Sequence, residues 1–151
     1  MNKRTWIKSA AAACVLGVAA WLPAMASETP SSLTGVKTVT ADEVKRMLDA
    51  GVPVIDTRVA AEYAEKTIKG AKSVPYKEKS AKEVGFDATV DQFDLSKLPQ
   101  EKSAPIVFFC NSGECWKSYK ASTVAVKAGY SKVYWFRGGF PEWNSKGLPT
   151  Q

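Results

Sequence analysis

The chain of 151 residues contains no histidine. This absence excludes a cysteine–histidine pair, a Ser-His-Asp triad and every histidine-containing metal site. Cysteine is scarce as well, with three residues in the sequence. Cys110 and Cys115, five positions apart, do not make a zinc site on their own. A nucleophile in this chain must therefore be activated without an imidazole.

Two further features are missing. No stripe of basic residues is interleaved with aromatic side chains, so we expect no nucleic-acid partner. The apolar run from Ala10 to Leu22 is shorter than the roughly 20 residues that a membrane-spanning helix needs. We therefore expect no membrane attachment of the processed chain.

The first 26 residues are organised like a secretory signal peptide. A basic start precedes the apolar run, and the small-residue triplet Ala24-Met25-Ala26 follows it. This pattern predicts cleavage before Ser27 and a periplasmic protein. Cys14 lies inside the apolar run and would leave with the signal peptide, so that Cys110 and Cys115 would be the cysteines of the mature chain.

Removal of the signal peptide also changes the charge. The full chain carries 21 basic and 15 acidic residues, and three of the basic ones, Lys3, Arg4 and Lys8, lie in the signal peptide. The remaining 18 basic and 15 acidic residues give a net charge of about +3, a modest positive field that favours small anions.

The remaining sequence predicts alternating strands and helices. A polar, flexible leader is expected over 27–35, and one domain over 36–150. Thr40 and Glu43 fit a capping box at the start of a helix. Residues with apolar character predict strands at 36–39, 52–56, 73–75, 106–109 and 133–136, and helices are expected at 60–65, at about 116–128 and after Gly139. The polar stretch 77–99 is expected to pack through Val84, Phe86, Phe93 and Leu95, with room for a further helix.

This alternation is typical of an α/β domain with a mainly parallel sheet. In such sheets the ligand site lies at the carboxyl ends of the strands. Asp56 and Cys110 both follow predicted strands, and Cys110 ends the most apolar of them, Ile106-Val107-Phe108-Phe109. The sequence therefore predicts a site at this edge of the sheet.

The loop Cys110-Asn111-Ser112-Gly113-Glu114-Cys115 leads into a helix that begins at Trp116. A thiol reacts as its thiolate, and the unpaired N–H groups of a helix N-terminus favour that negative charge. Inward-pointing loop amides would add an anion-binding nest. We expect Gly113 to help the loop curl through a positive φ, Glu114 to point outward, and Trp116 to pack on the pocket wall.

Four segments of the chain occur in a characteristic order. Val54-Ile55-Asp56-Thr57-Arg58 is followed by Glu62-Tyr63, then by 68–75, by Cys110 at the end of the central strand, and by the segment from Gly138 to Pro149. In this order they resemble the single-domain rhodanese family: the first two are similar to a family motif and to the turn and strand after it, Cys110 corresponds to the catalytic cysteine, and the last resembles the C-terminal signature. The resemblance implies a central, mainly parallel five-stranded sheet flanked by helices on both faces.

The resemblance also implies a sulfurtransferase without a cofactor. Cys110 would take the outer sulfur of thiosulfate or a persulfide, and the resulting persulfide would pass it to a thiophilic acceptor such as cyanide, a low-molecular-weight thiol or a protein cysteine. The loop from Asn111 to Trp116 would bind the anion. Cys115 stands where many family members have an arginine, so Lys117 and Arg58 are expected to replace that cation in part. Asp56 is expected to be a further supporting residue.

Cys115 leaves three interpretations open: a structural disulfide with Cys110, a resolving thiol that attacks the persulfide, or a passive replacement. The Cys110–Cys115 pair therefore keeps a second function in view, a thiol–disulfide or persulfide-reducing protein. A non-catalytic sulfur carrier is a third. Asp56 has two readings as well, since its carboxylate either orients groups of the loop or pairs with Arg58.

Overall fold

The computed structural model describes residues 27–151; the predicted signal peptide and Cys14 lie outside them and stay predictions. The strands are β1 (Val36–Thr38), β2 (Val54–Asp56), β3 (Lys72–Ser73), β4 (Ile106–Phe109) and β5 (Val133–Phe136). The helices are α1 (Ala41–Asp49), α2 (Ala60–Glu65), α3 (Trp116–Lys127) and α4 (Gly139–Ser145). The strands form one parallel sheet in the order β1-β5-β4-β2-β3, which confirms the predicted α/β class.

The central strand β4 is buried on both faces, as its unbroken apolar run predicts. Val107 and Phe109 pack on one side in a cluster that includes Val44 of α1 and Trp143 of α4. Ile106 and Phe108 pack on the other side, with Ala121 and Ala125 of α3. Because neighbouring side chains of a strand point to opposite faces, helices cover both sides of the sheet, as expected.

Helix α1 begins as its sequence predicts. Thr40 accepts a hydrogen bond from the Glu43 amide, and the Glu43 carboxylate accepts one from the Thr40 amide at 2.8 Å. The reciprocal bonds complete the capping box. The helix ends at Asp49, and Gly51 follows with a φ of 85°.

The stretch 77–99 forms two short 3-10 turns, at Ala88–Val90 and Leu95–Lys97, and contains no α-helix. Phe86 is buried, and Phe93 and Leu95 pack against the core. The prediction for Val84 is wrong, because this side chain is 63% exposed. The stretch is held by hydrogen bonds and an ion pair rather than by the apolar face of a helix. The buried Lys120 ammonium lies 2.7 Å from the Glu78 carboxylate.

Other boundaries differ by one or two residues from the predicted ones. The strand expected at 52–56 begins at Val54, and the one expected at 73–75 covers Lys72–Ser73. No helix among residues 27–151 has the length and apolar character needed to cross a membrane.

Candidate active site

Cys110 directly follows β4, and Cys115 occupies the N-cap position of α3. The Cα atoms of the two cysteines are 6.3 Å apart, and their sulfur atoms are joined in a disulfide. Cys110 is only 1% exposed. The structure therefore joins the two ends of the loop, which leaves Cys115 as a structural partner or a redox partner of Cys110.

Two polar groups contact the Cys110 sulfur besides its disulfide partner. The Ser118 hydroxyl oxygen lies 3.2 Å from Cys110 Sγ, and the Cys115 carbonyl oxygen lies 3.3 Å away. Ser118 is in the first turn of α3, where backbone N–H groups have no intrahelical partner. The sulfur thus lies at the helix N-terminus, where negative charge is favoured.

Side chains from the β2 side hold the start of the loop. The amide and the hydroxyl of Thr57 both donate to the Phe109 carbonyl, at 3.0 and 2.8 Å. The Asn111 side-chain nitrogen Nδ2 donates to Glu62 Oε1 of α2 at 2.8 Å. The bonds of Thr57 fix the backbone before Cys110, and the bond of Asn111 gives the acidic residue of the Glu62-Tyr63 motif a defined contact with the loop.

Helix α4 contacts the loop through its first residues. The Phe140 amide donates to the Cys110 carbonyl at 2.8 Å. Gly139 adopts a φ of 61°, and a Cβ atom there would collide with the carbonyl oxygens of Cys110 and Asn111. Only glycine permits this close approach without strain, which explains the second glycine of the Gly138-Gly139 pair.

The N-terminal segment crosses the far side of the loop. The amide and hydroxyl of Thr29 donate to the Gly113 carbonyl at 2.8 and 2.6 Å. The Trp116 indole donates to the Ser27 carbonyl at 2.8 Å. Arg137 donates to the carbonyls of Pro30 and Thr29 at 3.0 and 2.8 Å. The segment that the sequence assigns to a leader therefore contacts the candidate site.

Gly113 does not adopt a positive φ, so the predicted reason for this glycine is wrong. A Cβ atom on Gly113 would lie 2.8 Å from the Arg137 guanidinium. Glycine at this position instead makes room for a side chain that crosses behind the loop. Arg137 drew no functional prediction from the sequence, where it reads as a surface residue.

Arg58 does not reach the pocket. Its guanidinium pairs with the Asp56 carboxylate at 2.7 Å, donates to the Lys66 carbonyl at 2.8 Å and lies over the Phe140 ring at 4.4 Å. Asp56 also accepts from Thr67. Both members of the pair are almost completely buried. The structure thus shows the ion-pair reading of Asp56, and it places Arg58 away from any anion in the pocket.

A pocket of about 260 Å³ opens beside the loop. Its lining comes from the loop, the start of α3 and the 77–99 stretch: Glu78, Lys82, Asn111, Ser112, Glu114, Cys115, Trp116 and Lys117. Glu114 is exposed and Trp116 is buried, as expected. The structure thus brings five of the six predicted loop residues and Lys117 together at this pocket, and Gly113 does not line it. Cys115 lines the pocket, whereas Cys110 is buried and is not among the lining residues.

The 77–99 stretch is anchored next to this pocket by Asp91. Its carboxylate accepts hydrogen bonds from the Tyr76 hydroxyl, the Lys79 amide and both the amide and hydroxyl of Ser80, at 2.6 to 2.7 Å. Burial alone raises the pKa of Asp91, but these bonds outweigh it and lower the pKa to about 2. Burial and the Asp91 carboxylate raise the pKa of Tyr76.

Sequence reasoning missed Thr29, Thr57, Ser118 and Arg137. Thr29, Ser118 and Arg137 occupy distant or helical positions that no local pattern marks. Thr57 lies in the motif that begins at Val54, but its bonds to the Phe109 carbonyl have no signal in the sequence. Within residues 27–151, no group of three or more Cys, Asp or Glu side chains is arranged to hold a metal ion.

Comparisons with known proteins agree with this architecture. Residues 40–146 match the model of the rhodanese-like domain family. Thiosulfate sulfurtransferase 16, chloroplastic, of Arabidopsis thaliana is 32% identical over 125 residues, which are 83% of this chain and 96% of that protein.

Solved structures resemble the chain as well. A human single-domain sulfurtransferase, TSTD1, is 25% identical, with 72% of this chain and 96% of that one covered at a TM-score of 0.52. The Alr3790 protein from Anabaena sp., 23% identical, covers 75% of this chain and 79% of its own at a TM-score of 0.56 and shows the fold alone. The family match and the Arabidopsis relative together show that this chain belongs to the rhodanese-like domain family.

Proposed function

We propose that this protein is a sulfurtransferase that carries a sulfane sulfur as a persulfide on Cys110. The family and its relatives support a sulfurtransferase-type function. The observation that carries the persulfide mechanism is the position of the Cys110 sulfur. It follows the central strand, lies at the N-terminus of α3, and belongs to a loop that four separate segments hold by hydrogen bonds.

The first half-reaction requires the dithiol form. An external dithiol reduces the disulfide, giving two electrons to the cysteine pair and becoming a disulfide itself. Because Cys115 lines the pocket and Cys110 is buried, the incoming thiolate attacks Cys115 Sγ and Cys110 leaves as a thiolate. A sulfur that leaves readily as a thiolate is one whose negative charge is stabilised.

The Cys110 thiolate then attacks the outer sulfur of thiosulfate. A sulfur–sulfur bond forms to Cys110, the bond within thiosulfate breaks, and sulfite leaves with its electron pair. The outer sulfur of the persulfide next passes to cyanide, which leaves as thiocyanate, or to a thiol, and the Cys110 thiolate is regenerated. Loop amides from Asn111 to Trp116 stabilise the anionic sulfur, an electrostatic effect that needs no histidine.

The experiment is sulfur loading of the fully reduced protein. After incubation with thiosulfate and removal of excess reagent, intact mass and peptide analysis should show one added sulfur atom on Cys110. Cys110→Ser should remain unloaded. If the reduced wild type gains no sulfur and forms no thiocyanate with cyanide, thiosulfate transfer through Cys110 is refuted.

The disulfide favours a second candidate, a persulfide-reducing activity. In this reaction Cys115 gives its proton to the departing sulfur and attacks Cys110 Sγ, so that hydrosulfide leaves and the Cys110–Cys115 disulfide forms. One external dithiol then resets the enzyme. Loaded wild type would release sulfide without an acceptor, whereas loaded Cys115→Ser would keep its persulfide. Equal persulfide lifetimes in the two proteins would exclude this candidate.

A further inference from the structure

We propose that Ser118 is a further catalytic residue, whose hydroxyl donates a hydrogen bond to the Cys110 sulfur, and that Trp135 is the positioning residue that fixes the direction of this bond. The inference rests on the proposed function, because it concerns how the reacting thiolate is stabilised.

The three side chains form a short buried chain of contacts. The Trp135 indole nitrogen lies 2.9 Å from Ser118 Oγ, and Ser118 Oγ lies 3.2 Å from Cys110 Sγ. Ser118 is 2% exposed, Trp135 is fully buried, and Cys110 is 1% exposed. Water therefore has little access to any of the three groups, and the Ser118 hydroxyl makes its hydrogen bonds within the protein.

The donor inventory gives the bond a direction. An indole N–H only donates, so Ser118 Oγ accepts from Trp135. The hydroxyl has a single proton, and within residues 27–151 the Cys110 sulfur is the other hydrogen-bond partner of Ser118 Oγ. The proton of Ser118 is therefore directed at the sulfur, where it stabilises a thiolate or the inner sulfur of a persulfide more than a neutral thiol.

The fold explains why the three residues meet. Ser118 lies in the first turn of α3, directly after the loop. Trp135 lies on β5 and is paired with Phe108 of β4. Phe108 precedes Cys110 by two residues. The Tyr119 ring packs edge-to-face against the Trp135 ring, with the ring centroids 5.6 Å apart. This packing holds the indole, and through it the Ser118 hydroxyl.

The charged groups around the loop are engaged elsewhere. Arg137 donates to the carbonyls of the N-terminal segment, and Glu62 accepts from Asn111. Glu78, Lys82, Glu114 and Lys117 line the pocket, which Cys110 does not line. Within residues 27–151, no ion pair or hydrogen bond joins any charged group to Cys110 Sγ. A neutral hydroxyl is thus the side-chain donor at this sulfur.

The test is the pKa of the Cys110 thiol, measured by ultraviolet thiolate absorbance against pH in the reduced Cys115→Ser protein, with no sulfur donor present. Ser118→Ala should raise this pKa by about one unit, the size expected for one hydrogen bond to a charged group. The thiolate fraction below the pKa then falls by up to about tenfold. Ser118→Thr keeps a hydroxyl and should restore most of the shift.

Ser122 provides the matched control. It is also buried on α3, one turn beyond Ser118, and its hydroxyl has no hydrogen-bond partner among residues 27–151. Ser122→Ala should leave the pKa of Cys110 unchanged. Trp135→Phe removes the indole donor while Ser118 remains, and it should raise the pKa by a smaller amount than Ser118→Ala does.

A Cys110 pKa that is the same in Ser118→Ala and Ser122→Ala would overturn the proposal. If Ser118→Ala does not fold, an unchanged pKa in Trp135→Phe overturns it instead. Sulfur loading separates this outcome from failure of the proposed function: a shifted pKa with no loading of the wild type refutes sulfur transfer but leaves Ser118 as the donor to the thiolate.

Discussion

Gly139 determines how closely α4 approaches the candidate site. It has a φ of 61°, and a Cβ atom would collide with the carbonyl oxygens of Cys110 and Asn111. Both features require a residue without a side chain. Gly139→Ala should lower the free energy of unfolding by about 3 kcal/mol, because the left-handed conformation costs about 1–2 kcal/mol and overpacking adds a similar amount. Denaturant unfolding measures this loss.

Gly147 separates the two causes. Its φ is 65°, but a Cβ atom there would meet nothing within 4 Å. Gly147→Ala should therefore show only the conformational cost of about 1 kcal/mol. Equal losses in the two variants would mean that the approach of α4 to the loop is less close than the structure has it.

The position of Cys110 could be predicted from the sequence, whereas most of the residues that contact it could not. A continuous apolar run predicted that Cys110 ends a buried strand, and β4 has the predicted bounds. The contact of Ser118 with Cys110 could not be predicted, because a serine inside a helix follows no pattern. Its partner Trp135 lies on β5, seventeen residues further along the chain. Gly113 was assigned to the right loop for the wrong physical reason, since its neighbour Arg137 is distant in sequence.

Among the elements, those with a strong local signal were predicted most closely. Strand β5 and helix α2 have the predicted bounds, and α1 has the predicted capping box. The 77–99 stretch has no periodic apolar pattern, and its conformation depends on polar contacts such as those of Asp91 and Lys120. Patterns of hydrophobicity do not reveal such contacts.

Asp91 makes the 77–99 stretch sensitive to acid. Its pKa in the folded protein, about 2, is below its ordinary value. The stabilisation is therefore fully present above about pH 4 and is lost as the pH falls toward 2. Asp91→Asn should cost on the order of 2 kcal/mol at neutral pH and should weaken the pH dependence of stability between pH 4 and 2, measured by thermal unfolding at several pH values.

Asp94 is the appropriate comparison for Asp91. It is exposed, and its carboxylate accepts hydrogen bonds from Ser96, two residues further along the chain, and lies 3.9 Å from the exposed Lys97 ammonium. Asp94→Asn should have a much smaller effect on stability. A loss as large as that of Asp91→Asn would show that Asp91 does not anchor the stretch.

In the whole molecule, the N-terminal segment joins parts of the chain that are far apart in sequence. Thr29 bonds to the loop at Gly113, and Arg137 after β5 bonds to Thr29 and Pro30. The polar composition of 27–35 predicted a flexible leader. These contacts were not predictable from it, because every partner is more than eighty residues away.

The contribution of this segment is measurable by truncation. Compared with a chain that starts at Ser27, as the predicted cleavage would leave it, a chain that starts at Ser31 loses the bonds of Thr29 to Gly113, of Ser27 to Trp116 and of Arg137 to the segment. We expect a loss of about 2 kcal/mol, or roughly 5 °C in Tm. Because Gly113 lies between Cys110 and Cys115, sulfur loading of Cys110 should fall as well.

Glu28→Gln removes only an exposed ion pair with Arg137 and should change stability by less than about 0.5 kcal/mol. If truncation and Glu28→Gln behave alike, the segment does not support the loop, and the hydrogen bonds of Asn111 and Phe140 are sufficient to hold it.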